Sequence, residues 1–154
     1  MGEEYKKIVE SLFTSYNVKQ SDQFNPYKIH KILIADDDVF CNTMLRNMIE
    51  EDAKYQVNSF FNGLELCNYY EEQGNYVSVI ILDFEMPRRN GLETAMWIRK
   101  HECSMQMPRK PIIGLTGHDS EEIKNTCMNA GMDIILSKPI KKVEVLNTLK
   151  RLIG

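Results

Sequence analysis

The sequence predicts an α/β fold in which five parallel strands alternate with five helices, the helices covering both faces of the sheet. Three observations carry this. Short apolar runs recur along the chain, stretches with apolar residues at helical intervals separate them, and the runs "ILIA" and "VIIL" show no polar alternation. That last pattern is how a strand covered on both faces reads. Right-handed crossovers then give a (βα)5 sandwich of three layers.

The elements follow in order. In residues 1–28, Ile8, Val9, Leu12, Phe13 and Tyr16 repeat at helical spacing before the polar stretch "NVKQSDQFNPYK", which carries Pro26. This predicts a short amphipathic helix and a linker. Its stripe suits docking on the main domain, pairing with a second copy, or the end of an upstream helix in a longer protein. The main domain is expected over 29–154. The first strand is "KILIA", and a helix over 39–52 presents Val39, Phe40, Met44, Leu45, Met48 and Ile49. "YQVNSF" precedes a helix at 63–73, "VSVIIL" one at 91–102, and "PIIGLT" one at 119–130. "DIILS" and a helix at 140–152, with Val143, Leu146, Leu149 and Ile153 following the stripe, complete the chain. Most of the nine methionines fall on helical stretches and read as core filler.

Composition excludes several classes. With 154 residues, 43% hydrophobic and 27% charged, the chain is sized for one soluble domain with an appendage. A net charge of -3 leaves no electrostatic footprint for nucleic acid, and no apolar run approaches the ~20 residues that cross a bilayer. No nucleic-acid partner and no direct membrane contact are expected. Cys41, Cys67, Cys103 and Cys127 form no CxxC pair and no apolar signal segment precedes them, so they read as reduced core cysteines in a cytoplasmic protein. Lys6 stands where a myristoylation signal after Met-Gly would carry Ser or Thr.

In open parallel sheets the functional crevice lies beyond the carboxyl ends of the strands. The residues there are Asp36, Asp37 and Asp38 after the first strand, Asp83 after the third, Thr116 after the fourth, and Lys138-Pro139 after the fifth. The second strand ends in Asn58-Ser59-Phe60 and contributes nothing comparable. Carboxylates gathered this way repel one another and call for a cation. An oxygen-only set without His or Cys suits Mg²⁺. Asp37 and Asp83 are the expected direct ligands, Asp36 reaching through water and the backbone carbonyl of Glu85 adding an oxygen. Asp38 reads as the N-cap of the first helix. Asp83 can then act as a nucleophile toward phosphorus. Lys138 and the Thr116 hydroxyl would stabilise charge on the transferring phosphoryl group. Pro139 biases Lys138 toward extended backbone, and a cis bond between them would aim the lysine inward.

At this point "KILIADDD", "LDFEMPRRNG", "GLTG" and "GMDIILSKPI" resemble the signatures of the response-regulator receiver domain, over about residues 30–153. The last is most similar to receivers of hybrid sensor histidine kinases. The resemblance implies a flavodoxin-like sheet in the order 2-1-3-4-5 and a place in a two-component phosphorelay. It further implies that a histidine kinase dimerisation domain or histidine phosphotransfer protein donates its phosphoryl group to Asp83. Asp36 and Asp37 become the acidic pair around Mg²⁺, Thr116 the switch hydroxyl and Lys138 the phosphate-binding cation. The partner's helices would dock on the first helix around Val39, Phe40 and Met44 and on the loop after Lys138. Such a domain is a self-phosphorylating acceptor with some autodephosphorylation rather than an enzyme. It works in the cytoplasm, alone or as the cytoplasmic part of a larger, membrane-bound kinase.

One departure bears on output. Receivers carry an aromatic residue or His three positions before the lysine, where this chain has Ile135, so a muted or rerouted conformational change is expected. Glu85 and His118, each two residues past a site residue, are placed to influence hydrolysis of the acyl phosphate, although His118 beside Asp119 also suits an ordinary solvated loop. Two other readings are open to a carboxylate site of this kind. A haloacid-dehalogenase-like phosphatase wants a second aspartate where Glu85 stands. A receiver-like interaction module that takes no phosphate is expected to lack one of the acidic pair, the acceptor or the lysine, and all are present. A transcription factor would need a DNA-binding domain, which is not expected after Gly154 unless the chain is a fragment of a longer protein.

Overall fold

The computed structural model describes Glu3, Lys7 and residues 28–153. Five strands, β1 (His30–Ala35), β2 (Tyr55–Phe60), β3 (Val77–Asp83), β4 (Ile112–Thr116) and β5 (Ile134–Ser137), pair in parallel in the order β2-β1-β3-β4-β5. Between and after them run α1 (Val39–Glu50), α2 (Gly63–Gln73), α3 (Gly91–Ser104), α4 (Glu121–Asn129) and α5 (Lys142–Ile153). This is the flavodoxin-like arrangement, and its order reverses between β1 and β3. The carboxyl ends of those two strands therefore flank a crevice.

Alternate residues of each strand point to opposite faces, and both faces are apolar. Leu33, Ile80 and Leu82 pack with Leu66 and Tyr70 of α2, Ile98 of α3 and Cys127 of α4. Ile32, Ile34, Ile81 and Leu115 pack on the other side with Leu45 of α1 and Val145 and Leu149 of α5. Each large aliphatic side chain buried this way contributes about 1.5–3 kcal/mol. The uninterrupted apolar runs of β1 and β3 are thus explained by helices on both sides.

Helix starts follow their caps. Asp38 Oδ1 accepts from the N–H groups of Phe40 and Cys41 at 2.9 and 3.1 Å, confirming its capping role. Asn90 and Glu93 form a capping box on α3. At α4 the cap is Ser120, which accepts from Ile123 N, so this helix begins at Glu121 and not at 119. Asp119 instead pairs with Lys124 at 2.9 Å. In α5 the Lys141 carbonyl accepts from Val145 N, which starts the helix at Lys142 and not at 140. A short 3-10 turn at Gly74–Tyr76 has no counterpart in the sequence reading.

Two expectations about side chains need correction. Met86 and Met132 are core residues, but Met96, Met105 and Met128 are exposed; they occupy the solvent faces of their helices or the turn beyond. Cys67 and Cys127 are buried, whereas Cys41 is half-buried and Cys103 exposed near the end of α3. All four are free thiols. The expected N-terminal helix and linker lie outside the described residues apart from Glu3 and Lys7, both helical and exposed, and the exposed Lys28 at the linker's end. Among the described residues no helix is long and apolar enough to cross a membrane.

The amino ends of the strands are closed by an ionic cluster. Arg99 binds Glu102 at 2.9 Å, Asp133 at 2.8 Å and the carbonyls of Lys110 and Gly131. Glu102, 4% exposed, also accepts from the Tyr70 hydroxyl and Lys110 N. Asp133 accepts from Arg109 and from Ile112 N. Every buried charge there has a counter-charge and hydrogen bonds, the condition under which burial is tolerated.

Candidate active site

The site forms where β1, β3, β4 and β5 end. Carboxylate oxygens of Asp36, Asp37 and Asp83 all lie within 4.8 Å of one another. Asp36 is fully buried. One of its oxygens accepts from Asp38 N at 2.9 Å, and the other is 3.1 Å from Lys138 Nζ. The Asn42 amide on α1 donates to the carbonyls of Asp36 and Phe60 at 3.0 and 2.8 Å, tying the end of β1 to β2. Asp37 is the exposed member of the three.

Asp83, the last residue of β3, is 7% exposed. Burial pushes its carboxyl up to about 6, with Asp36 and, less, Asp37 adding to the rise and Lys138 opposing it. A solitary buried carboxylate at the end of an apolar strand is costly, and Lys138 Nζ at 3.1 Å from Asp83 Oδ1 offsets part of that cost. Lys138 is thereby shared between Asp36 and Asp83. Burial works against its charge, but the two carboxylates outweigh burial and raise its pKa. The Lys138–Pro139 peptide is cis.

Thr116 ends β4 and is 1% exposed. Its hydroxyl accepts from His118 N at 3.0 Å and donates to His118 O at 3.3 Å. Its carbonyl accepts from Lys138 N at 2.8 Å, so threonine and lysine are linked through the backbone. The Glu85 side chain is exposed and stands 3.6 Å from His118 Nε2. Ile135 lies half-buried on β5 opposite Gly114. Phe40 at the head of α1 is 74% exposed, and Val39 beside it 63%.

Two contributors were missed by the sequence reading. Gly91 opens α3 so close to β3 that a Cβ there would overlap the Asp83 carbonyl oxygen, and its N–H donates to Phe84 O at 3.1 Å. Asn42 is the other. The Gly after a loop was a usable signal; a single Asn inside a helical stripe was not.

The donor set fits a hard cation: three carboxylates, no nitrogen or sulfur, two of the carboxylates held by a lysine and one open to solvent. With a nucleophilic carboxylate, a neighbouring cation and a hydroxyl in one crevice, the arrangement suits attack on an electrophilic phosphorus.

The chain is similar to several known proteins. The chain is 32% identical over 126 residues to the peroxide stress-activated histidine kinase mak2 of Schizosaccharomyces pombe, covering 79% of this chain and 5% of that protein. It is 29% identical over 136 residues to hybrid signal transduction histidine kinase L of Dictyostelium discoideum, covering 88% and 8%. It therefore spans only a small part of these relatives. Among solved structures, the receiver domain of sensor histidine kinase PA1611 from Pseudomonas aeruginosa, which has magnesium coordinated in its active site cleft, aligns with TM-score 0.71 and 29% identity, covering 82% of this chain and 98% of that one. The receiver domain of Saccharomyces cerevisiae Ssk1, solved with the histidine phosphotransfer protein Ypd1, shares the fold with TM-score 0.75 at 22% identity, covering 81% and 89%. The family model for the response regulator receiver domain matches residues 32–150, a span that holds all of the strand-end residues described above, and the chain belongs to that family of two-component signalling domains.

Proposed function

We propose that this receiver takes a phosphoryl group on Asp83 from a phosphohistidine in a Mg²⁺-dependent reaction and relays or holds it as a signal. The observation that carries the reading is the position of Lys138 Nζ, 3.1 Å from both Asp36 and Asp83 within a three-carboxylate cluster. Asp83 attacks phosphorus with a carboxylate oxygen; the bond from phosphorus to the donor nitrogen breaks, and its electron pair returns to the imidazole. Lys138 leaves its hold on the Asp83 oxygen to bind the incoming phosphoryl oxygens, keeping Asp36 as its second partner. The Thr116 hydroxyl exchanges its bonds to His118 for one to the phosphoryl group. Bound Mg²⁺ would be held by Asp36, Asp37, Asp83 and the Glu85 carbonyl, and would supply positive charge to offset the carboxylates and the phosphoryl oxygens.

The donor is a histidine kinase dimerisation domain or a histidine phosphotransfer protein, whose helices would meet the exposed apolar head of α1 at Val39 and Phe40. The likeness to hybrid kinases supports a cytoplasmic domain, alone or within a larger membrane-bound kinase, that accepts phosphate but turns over no separate substrate. Residues 29–154 are the acceptor domain and 1–28 its extension.

Intact-protein mass spectrometry after incubation with acetyl phosphate tests this. One added phosphoryl group is expected on the wild type with Mg²⁺, and none without Mg²⁺ or on Asp83→Asn. Absence of labelling, together with no response to beryllofluoride, would leave a phosphate-independent interaction module.

A further inference from the structure

We propose that the apolar stripe of residues 8–16 docks intramolecularly on the outer face of α1. That face holds a groove of about 330 Å³ whose lining includes Phe40, Met44, Met48 and Glu51. The apolar members recur at four-residue intervals and so form one row along the helix. Val39 and Phe40 at its head are 63% and 74% exposed, an apolar surface that a domain standing alone leaves in water at a cost.

Three features select the occupant. The first is where the chain enters the domain. His30 N donates to Lys54 O at 2.7 Å, so the extension leaves the domain beside the turn that follows α1, next to Glu51 at the foot of the groove. Ile29, at that junction, is 63% exposed and continues the apolar surface toward the extension.

The second is reach. The stretch from Tyr16 to Lys28 spans up to ~40 Å when extended, whereas α1, 12 residues long, is only about 18 Å. The linker can lay residues 8–16 along α1 in either direction. A tether of this length places the stripe at an effective concentration of order millimolar, so a modest apolar contact is enough to fill the groove.

The third is the stripe's own geometry. Ile8, Val9, Leu12, Phe13 and Tyr16 occupy one side of a helical wheel. Glu3 and Lys7, helical and exposed, fall on the opposite side at 100° per residue. On that wheel the apolar side is the one that docking would cover.

The groove's head lies directly after the acidic site: Phe40 is two residues past the cap Asp38, whose N–H is bound to Asp36. A docked stripe would occupy the surface that a helical phosphohistidine donor approaches. This competition rests on the phosphotransfer reading; the docking does not.

The test is hydroxyl-radical footprinting of the full chain at low micromolar concentration without a phosphoryl donor, comparing the wild type with the double variant Leu12→Asp/Phe13→Asp and with Phe40→Asp. Oxidation of Met44 and Met48 is expected to rise threefold or more in both variants. Met132, 1% exposed, should keep its rate, and the wild type should be a monomer by light scattering. Equal rates at Met44 and Met48, or a rise only together with Met132, overturn the proposal. So does a wild-type dimer that the variants dissolve, which would make a second copy the occupant. Acetyl phosphate labelling of Asp83 fails or succeeds independently of this footprint, so the two ideas can fall separately.

Discussion

Gly114 on β4 stands directly opposite Ile135 on β5, and a methyl group added to Gly114 would lie 2.9 Å from Ile135 Cδ1 and overlap Met132 Sδ. The missing side chain is the space these two residues fill. Ile135 is therefore held as a wedge beside the strand that carries Thr116, on the same face of that strand two residues away. Gly114→Ala should cost about 1–3 kcal/mol through overpacking, and Ile135→Val should return part of that loss in the double variant. Thermal unfolding of the four proteins measures the coupling. NMR shifts on beryllofluoride binding should be small along β5 in the wild type; changes as large there as around Thr116 would mean the wedge does move.

Asp83 is raised to about 6 from an ordinary 3.8, first by burial and then by Asp36. The sign follows from linkage: the unfolded chain ionises at lower pH than the native one, so native stability falls as pH rises from 3.8 to about 6 and stays reduced above. Asp83→Asn removes this repulsion. In Mg²⁺-free buffer at pH 7.5 the variant should be more stable than the wild type by on the order of 1–2 kcal/mol, after allowing for the partner lost to Lys138. The advantage should shrink as pH falls to 4. Denaturant titrations at both pH values check this.

Lys138→Met leaves Asp36, fully buried, without its cation. A loss of about 3–5 kcal/mol at pH 7 is expected, smaller near pH 4 where Asp83, raised to about 6, holds its proton. Millimolar Mg²⁺ should recover part of the stability while phosphoryl labelling stays absent. Calorimetry with and without Mg²⁺ separates the two effects.

Gly91→Ala should impair the acceptor from outside the charged cluster. Its Cβ would press on the Asp83 carbonyl, displacing the loop that aims the carboxylate. A destabilisation of about 2–3 kcal/mol and acetyl phosphate labelling at least tenfold slower are expected. Labelling at the wild-type rate would show that the loop yields without moving Asp83.

Arg99→Ala strikes the opposite end of the sheet. It strands Glu102 and weakens the hold on Asp133, so a loss of about 3–5 kcal/mol is expected. Labelling of the folded fraction at 25 °C should match the wild type, because no residue of that cluster reaches the acceptor.

The strand ends were legible because the physics there is one-dimensional: an apolar run stops where a buried element meets solvent, and the residue that stops it is read directly. Asp36, Asp83, Thr116 and Lys138 were found this way, as was the Asp38 cap. What two chain segments do to each other was not legible. Lys138 was assigned to phosphate alone, yet it already bridges Asp36 and Asp83. Arg99 and Glu102 three residues apart look like an ordinary solvated helix face, and only Tyr70 and Asp133 arriving from elsewhere bury them. Helix starts missed by two residues where a neighbouring polar residue, Ser120 in place of Asp119, won the competition for the cap.

Strand β2 contributes no reacting group, yet the helix it leads into begins at Gly63, whose N–H donates to Arg89 O at 3.1 Å. Any side chain at 63 would run into the Arg89 carbonyl and the Thr94 hydroxyl. The chemically silent flank of the domain is thus a brace on the loop that follows Asp83, and under the proposed function that loop has to aim the carboxylate. Mutational drift in that flank would show itself as a misdirected blow rather than a blunted one, with acid strength and charge intact and the trajectory wrong.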